Sequence, residues 1–149
     1  MKIFLSILFI SFCSLTSLGQ SDEPIHITWE DLEKVEYEDV YLDSLDAWFW
    51  MPVFSDHILK YDGSRVLITG YFQLISKRDK NFWLTKDKKA SVGCVIGDNP
   101  MLNIDVSGCR GLRNSDSSLE ITIEGKLRLN SDDVYRLNFI LENPQVVKK

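Results

Sequence analysis

Six basic residues crowd the stretch from Lys77 to Lys89 (Lys77, Arg78, Lys80, Lys86, Lys88 and Lys89) against Asp79 and Asp87, a local charge of +4 with Phe82 and Trp83 inside it. Cations around a stacking aromatic are what a single nucleic-acid strand or another acidic polymer needs. Lys77, Arg78, Lys80 and Trp83 are therefore the candidate ligand-binding residues. The competing reading is a solvated hairpin tip whose lysines maintain solubility. A variant of it has the acidic residues 22–46 folding back onto the patch.

The remaining reactive side chains are sparse. His26 and His57 stand in separate segments with carboxylates nearby, a pattern common on protein surfaces and weak as a metal signature. Asn114-Ser115-Asp116-Ser117-Ser118 looks superficially like the start of a calcium loop but lacks its glycine and closing glutamate, so it reads as a turn. No Gly-x-Ser-x-Gly elbow, phosphate-loop glycine pattern or His-Glu-x-x-His occurs. No residue is therefore assigned as catalytic or metal-ligating, and no cofactor is expected. Cys94 as a nucleophile would need a base and an electropositive pocket, neither of which the sequence identifies. The alternative function class is a small envelope enzyme or metal-handling protein using Cys94 with carboxylates or histidines.

The chain has 149 residues, 17 Lys+Arg against 22 Asp+Glu, and three cysteines. That length supports one ordinary domain. The apolar share of 44% and charged share of 26% exclude a disordered or collagen-like chain. A net charge of −5 disfavours general nucleic-acid binding. Met1-Lys2, an apolar run from Ile3 to Cys13 and a small-x-small ending at Ser17 and Gly19 have the layout of a secretory signal, with cleavage expected between Gly19 and Gln20. Phe12 before Cys13 argues against lipidation there, and the run is shorter than the ~20 residues of a membrane span. The expected location is the periplasm or the exterior, with no transmembrane helix after cleavage and no cellular nucleic acid as partner. Cleavage leaves two cysteines, Cys94 and Cys109. In an oxidising compartment they could form a disulfide closing a loop of about 15 residues, which would stabilise the fold by roughly 3 kcal/mol. Spacing alone does not establish the required geometry.

The elements that would position these residues fall into two parts. Residues 20–60 read as an acidic, aromatic N-terminal extension packing on a barrel; residues 22–46 carry ten acidic groups against Lys34 alone. Thr28-Trp29-Glu30-Asp31 has the form of a helix N-cap, so a short helix should start there and lay Trp29, Leu32 and Val35 along one side. Trp48-Phe49-Trp50-Met51 reads as core or barrel-capping side chains in preference to a ligand platform, and a helical turn is expected through Ile58 and Leu59. Residues 61–149 change to a period of two. Five strands are expected: Val66–Leu74, Phe82–Thr85, Leu102–Val106, Ile121–Leu129 and Tyr135–Leu141, with Val146 and Val147 beyond Pro144. The first and fourth share a pattern, Val66-x-Ile68-x-Gly70-x-Phe72-x-Leu74 against Ile121-x-Ile123-x-Gly125-x-Leu127-x-Leu129. A glycine inside a strand marks a bend or a close approach, as small closed barrels need. The fold class expected is mainly β, a five-stranded OB-like Greek-key barrel with a short helical and aromatic extension at its N-terminal side.

Thr28-Trp29-Glu30-Asp31-Leu32, Pro52-Val53-Phe54, Tyr61-Asp62-Gly63 and Val66-Leu67-Ile68-Thr69-Gly70-Tyr71-Phe72 resemble a family of secreted bacterial proteins of unknown function, itself similar to OB-fold domains. The resemblance covers most of the chain after the signal. It implies the barrel and export, and no known activity. It also implies a pair of cysteines between the second and third strands, where this chain has Cys94 alone. The function expected is an exported, non-catalytic OB-type binding or interaction module of the cell envelope, whose partner is an envelope protein, a peptide or a glycan.

Overall fold

The structure, a computed structural model, describes residues 23–76, 78, 81–88, 102–113 and 118–148. Its elements in chain order are β1 (Ile25–His26), α1 (Trp29–Leu32), β2 (Glu36–Leu42), β3 (Ala47–Val53), α2 (Asp56–Leu59), β4 (Arg65–Ser76), β5 (Asn81–Thr85), β6 (Ile104–Asp105), β7 (Glu120–Leu129) and β8 (Phe139–Lys148). The predicted signal segment lies outside the described residues, as do Cys94 and most of the predicted 114–118 turn. Among the described residues no helix is long and apolar enough to cross a membrane.

Strands β4 to β8 form a closed barrel in the order β4-β5-β6-β8-β7, with β7 returning to β4. The β6–β8 pair is parallel and the other barrel pairs are antiparallel. This is the OB-like topology expected from the period-two segments. Closure relies on the length of β4. Its residues Arg65–Tyr71 pair with β7, and from Tyr71 onward it pairs with β5. Along both long strands the alternate residues Val66, Ile68, Phe72, Ile121, Ile123 and Leu127 are buried, meeting Leu84, Ile104, Phe139 and Leu141 in one core.

Gly70 sits at the exchange of partners, and its glycine character has a steric cause. A Cβ there would lie 2.7 Å from the Thr85 carbonyl oxygen, 2.7 Å from Trp29 Cζ2 and 3.0 Å from Leu84 Cγ. Gly125 is tight but less so, with Leu141 Cβ at 3.1 Å and the Glu142 carbonyl oxygen at 3.2 Å. Opposite Gly125, β8 carries one residue more than β7, since Glu124 pairs with Gln145 and Lys126 with Glu142. That bulge, with Asn143 at φ 51°, is how Pro144 is accommodated inside a strand. The predicted fifth strand is thereby corrected. It starts at Phe139, not Tyr135, and runs through Pro144 to Lys148, because a bulge leaves the proline with no ladder bond to donate. The predicted third strand also shortens, to Ile104–Asp105.

The extension divides into an anchor and an arm. In α1, Thr28 and Asp31 form a capping box, and Trp29 and Leu32 are buried. Trp29 Nε1–H donates to the Thr69 carbonyl oxygen at 2.7 Å, which holds the ring across β4 at Gly70. Ile58 of α2 is fully buried in the same core, and β1 runs parallel to β4 at Val66 and Leu67. Between the helices, β2 and β3 pair from Glu36↔Val53 to Leu42↔Ala47 as a separate two-stranded sheet. The expected core or barrel-capping role is corrected here for Trp48 and Trp50, while Phe49 and Met51 are half-buried. Trp48 and Trp50 alternate along an exposed hairpin and are 68% and 62% exposed.

Candidate functional site

Asn130, at the end of β7, organises the loop that leads into β8. Its side chain is buried and its Nδ2 is shared among the carbonyl oxygens of Asp133 (2.9 Å), Leu137 (3.2 Å) and Arg136 (3.4 Å), while Oδ1 accepts from the Asp133 N–H at 3.1 Å. A loop of polar residues is thus fixed by one amide instead of an apolar core. Asn138, also buried, donates from Nδ2 to the Tyr37 hydroxyl at 3.1 Å. That bond joins the loop to the base of the hairpin, and Phe54 reinforces it by an edge contact with Phe139, centroids 5.9 Å apart. Burial pushes the Tyr37 hydroxyl pKa up, and the Asn138 bond opposes the shift.

Hairpin and loop enclose a cleft of about 110 Å³. Trp50, Met51 and Pro52 line one side, and Asn130, Asp133 and Arg136 the other. The hairpin face above it is aromatic. Alternation places Tyr37, Asp39 and Tyr41 of β2 on the same face as Pro52, Trp50 and Trp48 of β3, with Asp39 opposite Trp50 and Tyr41 opposite Trp48. Tyr37 stacks on Trp50 at 5.9 Å between centroids, and Tyr41 meets Trp48 at 5.4 Å. The Tyr41 hydroxyl donates to Asp46, and that hydrogen bond pushes the Tyr41 pKa up.

Of the predicted binding residues, the described part of the chain contains Trp83 and Arg78. Trp83 lies on the outer row of β5, half-buried, with Gln73 and Asp105 as its cross-strand neighbours. Asp105 accepts from Arg136 Nη2 at 3.1 Å and from the Ser107 N–H at 2.9 Å. Arg136 also lines the cleft, so Trp83 connects to the hairpin side through the Asp105–Arg136 ion pair. Arg78 is exposed, while Lys77 and Lys80 lie outside the described residues. Lys86 is not available to a ligand in the way the basic stretch implied. Its ammonium lies 2.6 Å from Glu33 and 3.4 Å from Glu30, and Glu33 above all pushes its pKa up. At this position the acidic extension does fold back onto the basic patch.

The other chemical candidates have structural surroundings. His57 Nε2 lies 3.0 Å from Asp31 Oδ1; that contact first, and the Thr28 N–H second, hold the Asp31 carboxyl below the usual range. His26 is exposed on β1. Cys109 is buried with Sγ 3.7 Å from the Arg110 carbonyl oxygen, and its proposed disulfide partner Cys94 lies outside the described residues. Among the described residues no group of three or more His, Cys, Asp and Glu is placed to hold a metal ion.

Reading the sequence missed the hairpin platform and Arg136. The signal for the hairpin is present, since Tyr37-x-Asp39-x-Tyr41 and Trp48-x-Trp50-x-Pro52 flank the turn formers Asp43-Ser44 with period two. Arg136 carries no local signal; only the closure of the barrel brings it to Asp105. Compared with family models, curated proteins and solved structures, the chain matches none.

Proposed function

We propose that the chain is an exported, non-catalytic OB-type binding module of the cell envelope, with a protein, peptide or glycan as its partner. Export is supported by the signal-like segment through Gly19. The observation that carries the binding role is the exposure of Trp48 and Trp50 beside the cleft over the 130–138 loop. A tryptophan that is mostly exposed adds little to folding, whereas a rigid amphipathic ring at a surface is a strong contact for a partner. The ligand surface runs from Trp50 across Arg136 and Asp105 towards Trp83.

Titration of the secreted protein with envelope glycans, peptides and acidic polymers, followed by tryptophan fluorescence, tests the role. Saturable binding weakened by Trp50→Ala places the surface on the hairpin; weakening by Trp83→Ala alone places it on the outer barrel face. The reading fails if no probe binds saturably.

A further inference from the structure

The hairpin platform has a chemical character narrower than "aromatic". Between Glu36 and Val53 the chain carries five carboxylates (Glu36, Glu38, Asp39, Asp43 and Asp46) and no Lys or Arg. Asp39 occupies the middle of the aromatic face, between Tyr37 and Tyr41 along β2 and opposite Trp50. Among the described residues Asp39 forms no ion pair with a Lys or Arg, whereas Asp31, Glu30, Glu33, Glu124 and Asp105 each do.

From this arrangement we infer that the Tyr41–Trp48–Trp50 face of the hairpin docks a basic, extended segment of a protein partner, with a lysine or arginine head group received by Asp39 among the rings. This rests on the binding-module reading above and names its occupant.

Three properties of the face select that occupant. The negative faces of tryptophan and tyrosine rings attract an ammonium or guanidinium lying within about 6 Å of a ring centroid. The five carboxylates raise the local concentration of cations and repel anionic polymers, so the nucleic acids and acidic glycans that would suit Lys77, Arg78 and Lys80 do not suit this surface. Residues two apart on a strand are separated by roughly 6.6 Å, so Trp48 and Trp50 have the spacing of alternate side chains in an extended peptide. Repeated basic groups on such a peptide can therefore follow the row of rings.

The test uses the protein after signal removal and three probes: a short synthetic peptide alternating Arg and Thr, the same peptide with Glu in place of Arg, and a neutral oligosaccharide. The Arg peptide is expected to quench tryptophan fluorescence saturably. Trp50→Ala should weaken it about tenfold at every salt concentration, and Trp50→Phe should recover part of the loss. Asp39→Asn should weaken it about fivefold at low salt and much less at high salt, where exposed charges are screened. A melting temperature unchanged from wild type in each variant shows that the arm's barrel support is intact. If the oligosaccharide or the Glu peptide binds and Asp39→Asn leaves that binding unaltered, the basic occupant is wrong while the binding module stands. A wild-type protein that dimerises, and that Trp50→Ala turns monomeric, replaces the occupant by a second copy. Binding by none of the three overturns the basic occupant, and the binding-module reading falls with it only if the wider panel of envelope glycans, peptides and acidic polymers also fails to bind.

Discussion

Trp29 and Trp50 are the same side chain used in opposite ways. Trp29 is 8% exposed, bonded through Nε1–H to the Thr69 carbonyl oxygen and pressed over Gly70. Trp50 is 62% exposed and, among the described residues, has Tyr37 as its one ring contact. The first ring closes the barrel core, where burying a large apolar side chain contributes about 2–3 kcal/mol. The second leaves most of its apolar surface in water, so its presence on the hairpin is not explained by stability. The extension therefore combines an anchor, buried in the barrel core, with an arm that pairs in a sheet of its own. Every variant below bears on that division.

The largest loss should come from the anchor. Trp29→Ala removes the ring and its hydrogen bond together and should cost about 4 kcal/mol in denaturant unfolding. A loss below about 1 kcal/mol would mean that α1 is peripheral and the division false. Gly70→Val comes next, at about 3 kcal/mol, because the Thr85 carbonyl belongs to a paired strand and cannot retreat from a new Cβ at 2.7 Å. A double-mutant cycle sharpens this result. With Trp29 reduced to alanine one of the two closest obstacles is gone, so Gly70→Ala should cost less than in the wild type while remaining unfavourable.

A smaller effect belongs to Asp31, which caps α1 and faces His57. Its folded pKa is depressed, mainly by the His57 contact and then by the Thr28 N–H. The stabilisation it provides is therefore fully present above the ordinary carboxylate pKa and is lost as pH falls through the depressed folded value. Asp31→Asn should lower stability by about 1 kcal/mol at neutral pH, where the cap is weakened. Thermal melts between neutral and acidic pH should then converge for variant and wild type. Equal acid sensitivity in both proteins would assign it elsewhere.

These effects also mark what the sequence could reveal. The paired glycine patterns at Gly70 and Gly125 predicted two long bent strands, because period-two alternation and a missing side chain are both local signals. The α1 cap was legible for the same reason, since Thr28 and Asp31 sit within one turn. Pro144 misled the reading of β8. A proline ends most strands, and the bulge that tolerates it depends on the register with β7, which is a long-range property. The 48–51 aromatics misled it in another way, because hydrophobicity predicts burial only on average and carries no information about whether a partner surface exists within the chain. Lys86 shows the same gap in electrostatics. Its charge counted towards a basic patch until Glu30 and Glu33 were brought onto it by the packing of α1.

The smallest expected effect decides whether the arm is separate. Trp48 lies near the hairpin turn, 68% exposed, with Tyr41 as its ring contact. Removing it forfeits one cross-strand aromatic pair, which contributes about 0.2–1 kcal/mol to a sheet. That loss falls on a two-stranded arm outside the barrel sheet, so global unfolding should register less than about 0.5 kcal/mol, the usual range for surface substitutions. Hydrogen exchange should show the change where calorimetry does not: amides of residues 36–53 should exchange faster in Trp48→Ala, while those of Val66–Phe72 and Ile121–Leu127 keep their protection. If the barrel amides lose protection in parallel, hairpin and barrel unfold as one unit. Trp48 would then be a stabilising residue of the fold, and its exposure would no longer argue for a partner.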